Sequence, residues 1–446
     1  MYSYTMYALI DGNNFYVSCE RAFNPRLKGR AVVVLSNNDG CVISRSEEAK
    51  AIVKMGQPYY QLQALVAAHD ITALSANFAL YGDISTRMMR LAAAFGPEQE
   101  IYSIDECFIG GLDGIAHLTQ RAWAIRQRIE RSLGIACGIG LGSSKTLAKL
   151  ANHIAKRAER QAALGYSDAL SIAMAPWARV CNWQEMSQAQ QAALLRATPV
   201  GEVWGIGKRM AQRLATYQCT TAWDLAQMAA PQARRIGGVV LERTVRELQG
   251  ISCLALEQLP GSKQQIASTR SFGHPVEQLA PLLEAVSTYA SRAAEKARKA
   301  GQLARQVHVF AYTSPFRHGQ PWHGTATVTL NEACNDSFSI VEAATRAARS
   351  FFQPGHKLSK AGVILLDLIP AAQSRSGDLF APSTLPLAHQ RLMPTLDAIN
   401  QRFGKGTIHL ASCGIPQDSP NNWRMKQAML SPLYTMRLQD LPIARA

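Results

Sequence analysis

Two carboxylates stand side by side at Asp105-Glu106, where a short connection joins the strand-like runs 101–103 and 106–109. Adjacent acids repel each other, so such a pair is tolerated best in solvent or around a cation. A third acid, Asp11, ends the apolar run 6–11 (MYALID), and pairing across a sheet would bring it to the other two. Three carboxylates on one edge are what two magnesium ions need for in-line phosphoryl or nucleotidyl transfer. One ion lowers the pKa of an attacking hydroxyl while the other holds a triphosphate and its leaving group. On spacing alone, an exposed turn at Asp105-Glu106 and a helix cap at Asp11 account for the same residues.

Asp11 is followed by Gly12-Asn13-Asn14-Phe15-Tyr16. Two aromatics directly behind a metal-ligand candidate could stack on a sugar or base; ordinary core packing is the alternative. Between two helical stretches lies Val203-Trp204-Gly205-Ile206-Gly207-Lys208-Arg209. A GxG hairpin opening a helix presents backbone N–H groups that can hold a DNA phosphate, although glycines are also common in plain helix–helix turns. Lys145, Lys149, Lys156, Arg157 and Arg160 punctuate the stretch 143–160, either as a solvated face or as a surface for triphosphate and template backbone.

The elements that must position these residues follow from patterning. Runs 31–35 and 41–44 flank Ser36-Asn37-Asn38-Asp39-Gly40, a hairpin signal. A helix over 46–54 capped by Ser46, a strand and helix over 71–95, a helix over 114–133, a strand over 135–141 and a helix towards 160 follow. Their tight connections predict an antiparallel α+β sheet backed by helices. From 166 to 259 the texture is Ala, Gln, Leu and Arg at helical spacing with no convincing strand, which predicts a small helical domain ending at the linker Pro260-Gly261-Ser262-Lys263. Residues 264–370 read strand, helix, strand, strand, helix, strand, the split βαβ arrangement, with positive charge from Arg292, Lys296, Arg298, Lys299 and Arg305. The remainder is rich in Pro, Ser and Gln, with helical patches near 385–403 and 426–433.

The chain has 446 residues and a formal charge of +15, which points to several domains and a polyanionic partner. Hydrophobic residues make up 47%, which excludes a disordered chain. Apolar runs fall far short of the ~18 residues that cross a bilayer, and no signal peptide is visible at the N-terminus. Nine cysteines occur singly, which suits a reducing cytoplasm and offers no zinc site.

Together, residues 11–20, 35–43, 102–106, 145–152, the Gly205 hairpin and 240–248 resemble, in order, the Y-family translesion DNA polymerases. Among these they resemble the UmuC type, the catalytic subunit of bacterial DNA polymerase V and its plasmid-borne relatives. The resemblance implies an α+β multidomain, right-hand architecture. A ferredoxin-like palm with small fingers would occupy 1–165 (fingers about 17–75), and a helical thumb 166–259 with a helix-hairpin-helix near 199–216. A split βαβ little finger would fill 264–370, and a partner-binding tail 371–446. It further implies two Mg2+ ions held by Asp11, Asp105, Glu106 and the Gly12 carbonyl, and a steric gate at Tyr16 beneath the nucleotide sugar. Phe15, Tyr16, Ser44, Lys50 and Lys156 would surround the incoming dNTP. Gly205, Gly207, Lys208 and Arg209 would grip primer-template DNA, with the little finger in the major groove.

The implied activity is error-prone synthesis opposite damaged bases in the SOS response, without a proofreading exonuclease. Ser376-Gly377-Asp378-Leu379-Phe380 resembles the short peptide that docks bacterial polymerases on the sliding clamp, with Leu379 and Phe380 as its anchors. The rest of the tail resembles the region that meets a UmuD′ dimer and a RecA filament. Three positions depart from the broader pattern. Asn13 stands where many members carry an acid, Glu47 where other branches offer a phosphate-binding Tyr, and Gly12 where a larger residue is usual. The rivals are a nucleotidyl cyclase built on a similar palm and a DNA-binding accessory protein with a retired site.

Overall fold

The computed structural model describes residues 5–165, 169–257, 261, 263–316, 321–372, 387–414 and 423–443. The chain divides into two units, each with its own core: Met1–Ser36, Gly40–Pro260 and Met429–Ala446 form one, and Asn37–Asp39 with Gly261–Ala428 the other.

The first unit runs β1 (Tyr7–Gly12), α1 (Phe15–Phe23), β2 (Val32–Leu35), β3 (Val42–Arg45), α2 (Glu47–Lys50), α3 (Gln63–Ala68), β4 (Thr72–Ser75), α4 (Phe78–Ala92), β5 (Glu98–Ile101), β6 (Glu106–Gly110), α5 (Leu118–Leu133), β7 (Cys137–Gly142) and α6 (Lys145–Leu164). It continues through α7 (Ala169–Met174), β8 (Val180–Asn182), α8 (Gln188–Ala197), α9 (Lys208–Ala215), α10 (Ala222–Gln227) and α11 (Ala230–Leu248). Its main sheet has the order β5-β6-β1-β7-β8. β1 is central and covered on both faces, which is why Tyr7 to Ile10 is unbroken apolar sequence. Ala8 and Ile10 pack towards α1, α4 and α5. Tyr7 and Leu9 face the opposite way, towards Phe108 and Ala148. A second sheet, β3-β2-β4, has a separate core of Val33, Leu35, Val42 and Leu62.

Glycines in β7 fix how closely α6 approaches. A Cβ at Gly140 would lie 2.2 Å from both Ala148 O and Asn152 N, and one at Gly138 would lie 2.4 Å from Asn152 Oδ1. Helix backbone therefore rests directly on the strand, and Asn152 and Lys156 are carried to the level of Asp11, which pairs with Gly138. Gly140→Ala is expected to cost about 1–3 kcal/mol by overpacking, read as a lower midpoint in the first thermal unfolding transition. An unchanged midpoint would show that α6 can lift without penalty.

Two local expectations need correction. The stretch 166–259 does contain a strand, β8, which pairs in parallel with β7 at the sheet edge; three residues are too few to show a period of two. The helix expected over 46–54 lasts one turn, Glu47–Lys50, capped by Ser46.

The second unit contains β9 (Ile266–Val276), α12 (Leu279–Lys299), β10 (Gln302–Thr313), β11 (His323–Cys334), α13 (Ser337–Phe351), β12 (Leu358–Pro370) and α14 (Leu387–Phe403). The sheet order is β11-β10-β12-β9 with antiparallel neighbours. β12 lies between β9 and β10, and β10 between β11 and β12, so both βαβ crossovers are split. Val307, Val309 and Ala311 pack beneath the alanine-rich faces of α12 and α13. Their alternates His308, Phe310 and Tyr312 stack along the opposite face. Arg298 forms a bidentate pair with Asp397 of α14, at 2.7 Å in both contacts, and Lys299 pairs with Glu295. Arg298 and Lys299, two of the five residues in the basic row, are thus occupied within the fold. The patch at 426–433 is not helical. Its backbone groups bond to other segments instead, as where Met429 N donates to Ser75 Oγ.

Candidate active site

Asp11 sits directly opposite Glu106 in the β1–β6 register. Gly12 N donates to Asp105 O at 2.8 Å, which pins the β5–β6 turn to the end of β1. Within that turn Ser103 Oγ donates to Asp105 Oδ1 (2.6 Å) and accepts from the N–H groups of Asp105 and Glu106 (3.2 Å each). The turn is therefore braced and half-buried. Asp11 is not a helix cap either, because the N-cap position of α1 belongs to Asn14.

Each outer acid has a lysine from α6. Asp11 Oδ1 lies 2.7 Å from Lys156 Nζ, and its Oδ2 accepts from Asn152 Nδ2 at 3.1 Å. Glu106 accepts from Lys149 Nζ at 3.0 and 3.3 Å. Lys149 Nζ also lies over the rings of Tyr102 (4.3 Å) and Trp204 (4.9 Å). Lys149, Asn152 and Lys156 share one helical face by their three- and four-residue steps. The lysine run is consequently not a solvated surface; Lys145 too is buried and paired with Glu100. Lys149, which in the sequence stands either on a solvated face or towards triphosphate and template backbone, pairs here with Glu106. Asn152 is a residue the sequence reading does not single out, although its four-residue step to Lys156 carries the signal.

Burial pushes the Asp11 carboxyl above its ordinary range against the pull of Lys156, and the charge of Asp105 adds to the upward push. Burial also raises Glu106 against Lys149, with Asp11 and Asp105 raising it further. Three like charges held together under partial burial are a standing electrostatic cost that a divalent cation relieves. Hard carboxylate oxygens beside a backbone carbonyl are the donors magnesium prefers. The donor set fits, although with Asp11 and Glu106 turned onto lysines, no three acidic, His or Cys side chains among the described residues form one cage.

The Tyr16 ring stacks on Tyr81 at a centroid distance of 4.5 Å and meets Phe78 edge-on. Phe15 is buried, and a Cβ on Gly12 would lie 3.0 Å from its ring, which accounts for the small residue there. Ser44 is buried in β3 opposite Val34. Lys50 is tied to Glu47 at 2.5 Å; Glu47 also accepts from Asn14 and lies 3.4 Å from Arg160. Glu47 thus gathers the cations Lys50 and Arg160. His153, Lys156, Arg157 and Arg160 line a cavity of about 370 Å³ that sequence had not singled out.

Gly205 adopts φ +85°, a conformation that favours glycine. Val203 and Ile206 anchor the hairpin in the core, while Gly205, Gly207, Lys208 and Arg209 are exposed. Gly207 gives α9 no side-chain cap, so its first-turn N–H groups are available to an anion. Leu379 and Phe380 lie outside the described residues.

A Y-family polymerase chimera of Dbh and Dpo4 superposes with a TM-score of 0.62 at 17% identity, covering 82% of this chain and 99% of that one. A Dbh ternary complex gives 0.52 at 17% identity over the same shares. The fold is therefore that of the Y-family DNA polymerases. The impB/mucB/samB family model matches residues 10–153, its C-terminal domain model matches 263–379, and a domain of unknown function matches 390–444. Protein UmuC of Salmonella typhimurium is 40% identical over 440 residues, 98% of this chain and 99% of that protein. MucB of Escherichia coli is 39% identical over 443 residues, with shares of 98% and 99%. A DNA polymerase IV of Moorella thermoacetica is 28% identical over 416 residues, with shares of 90% and 94%. The chain belongs to the impB/mucB/samB family, the UmuC-type branch of the Y-family polymerases. Among the described residues no helix is long and apolar enough to cross a membrane.

Proposed function

We propose that this translesion DNA-directed DNA polymerase extends a primer by two-metal nucleotidyl transfer at Asp11, Asp105 and Glu106. The observation that carries the mechanism is the register of Asp11 opposite Glu106 with Asp105 pinned beside them. With the Gly12 carbonyl, these residues would hold two Mg2+ ions, which when bound supply Lewis-acid activation of the primer hydroxyl and charge neutralisation on the triphosphate.

The chain's own groups do the rest. Lys156, released from Asp11, turns its ammonium to the triphosphate, and Arg160 and Lys50 reach the same anion from either side of Glu47. Phe15 and Tyr16 form the floor under base and sugar, where the Tyr16 ring excludes a 2′-hydroxyl. Ser44 and its neighbours lie over the nascent pair. Backbone N–H groups at Gly205–Arg209 hold duplex phosphates, and the open sheet face bearing His308, Phe310 and Tyr312 lies along the DNA.

The decisive assay is primer extension across an abasic site with magnesium, the chain alone and then with accessory proteins. DNA-independent turnover of a nucleotide would favour the cyclase, and tight DNA binding without extension under any condition the accessory protein. Binding to primer-template should weaken steeply with salt, log Kd rising with log[salt] by roughly 0.9 for each duplex phosphate neutralised. Lys208→Ala should reduce that slope by about one such increment; a flat profile would remove the phosphate contacts.

The kinship to UmuC supports a cytoplasmic setting, a UmuD′-like dimer and a RecA filament as partners, and a sliding clamp engaged through Leu379 and Phe380.

A further inference from the structure

The match at residues 390–444 carries no function in its description, yet its described residues from Met429 on, 429–443, belong to the unit that holds the candidate active site. Met429 N donates to Ser75 Oγ (3.0 Å) and Ser75 N to Met429 O (2.9 Å), with a parallel bridge from Ser75 to Leu430. Ser431 Oγ then donates to Glu20 Oε1 (3.1 Å) and accepts from Asn77 Nδ2 (3.0 Å). Asn77 also donates to Pro432 O (3.1 Å) while its Oδ1 caps α4. Tyr434 stacks on Phe23 of α1 at 4.9 Å. Ser431, Glu20, Asn77 and Tyr434 are all buried.

Glu20 is the joint of this assembly. It stands four residues after Tyr16 on α1, so both project from one helical face. Tyr81 of α4 lies against that face, its ring stacked on Tyr16 at 4.5 Å and its hydroxyl donating to Glu20 Oε1 at 2.7 Å. Two hydroxyls, one from α4 and one from the C-terminal segment, therefore converge on a single buried carboxylate oxygen. Removing either leaves the carboxylate short of a donor, and a buried acceptor so deprived re-forms its contacts by moving its neighbours. The neighbour here is the ring that lies flat against Tyr16.

We propose that residues 429–434 buttress the sugar-selecting ring, with Ser431 fixing Glu20, Glu20 fixing Tyr81 and Tyr81 fixing the plane of Tyr16. Ser431 is thus a positioning residue for rejection of ribonucleotides, and this rests on Tyr16 being the steric gate. A gate works by contact, and a ring displaced by a fraction of an ångström forfeits much of its discrimination.

The test is single-nucleotide incorporation by the full-length chain, measuring kcat and KM for a dNTP and the matching ribonucleotide. Ser431→Ala should lower the dNTP-over-rNTP ratio of kcat/KM by about three- to tenfold, the scale of one lost hydrogen bond, through a gain on the ribonucleotide. Ser431→Thr, which keeps the hydroxyl, should restore the ratio. Tyr81→Phe keeps the ring and removes only the other donor, so it should relax the ratio in the same direction even if Ser431→Ala folds poorly. In a Tyr16→Ala background Ser431→Ala should add nothing.

Wild-type selectivity in both Ser431→Ala and Tyr81→Phe, with Tyr16→Ala relaxed, would overturn the buttress and leave the gate standing. Parallel loss of both nucleotides at a constant ratio would reduce the segment to a structural role and overturn it too. Unchanged selectivity in Tyr16→Ala would overturn the gate itself, whatever the Ser431 variants do.

Discussion

Asp105→Asn is expected to lower the rate of primer extension by roughly 10³-fold or more while DNA affinity stays within about twofold, since phosphate contacts rather than the acids set that affinity. The substitution is isosteric and leaves Ser103 Oγ a partner at the same distance from the turn. It also removes one of three clustered negative charges, so burial at Asp11 and Glu106 becomes easier and the thermal midpoint should hold or rise. That pairing of a lost rate with an undiminished midpoint is the signature sought. Stopped-flow extension, fluorescence anisotropy on the same primer-template and a thermal melt together read it. Retained extension would remove Asp105 from the metal-holding set. A collapse of the midpoint would mean that the acid is needed for the turn, contrary to the repulsion described above.

Tyr16→Ala should relax sugar selection by about two orders of magnitude, because a site that rejects by shape loses its discrimination when the shape is deleted. Tyr16→Phe should keep most of it, since the ring and not the hydroxyl makes the contact. The Ala variant also gives up the stack on Tyr81, worth about 0.5–1.5 kcal/mol, so some stability goes with the selectivity. Competitive incorporation of a ribonucleotide against its deoxy counterpart measures the change. A ratio that does not move would place the gate on another side chain.

Much of the candidate site's geometry was legible because its signals are local. Asp11 closes an apolar run, Asp105 and Glu106 adjoin at a tight turn, and antiparallel pairing of the intervening strands follows from the short connections, so the opposition of Asp11 and Glu106 could be anticipated. The glycines of β7 were passed over, since nothing in the strand itself tells that Gly138 and Gly140 are there for the backbone of α6. Lys149 was visible within a row of basic residues and Asn152 was not singled out, and neither could be read as the partner of an acid 43 or 141 residues away. β8 was too short to show a period. The C-terminal segment was the least legible, because its order comes from hydrogen bonds to β4 and α1 rather than from its own spacing. A stretch whose backbone groups are satisfied elsewhere leaves no periodic trace.

Lys156 and Lys149 carry a consequence for the order in which ligands arrive. The two outer acids, Asp11 and Glu106, each have an ammonium as counterion, while Asp105 is held by the Ser103 hydroxyl. Were a metal ion to displace Lys156 from Asp11, the freed positive charge would need an anion, and under the proposed function that anion is the triphosphate. Under the proposed function, divalent ion and nucleotide would be thermodynamically linked through one lysine. Each would tighten the other by the same factor, and a divalent ion without a nucleotide would have to displace Lys156 from Asp11.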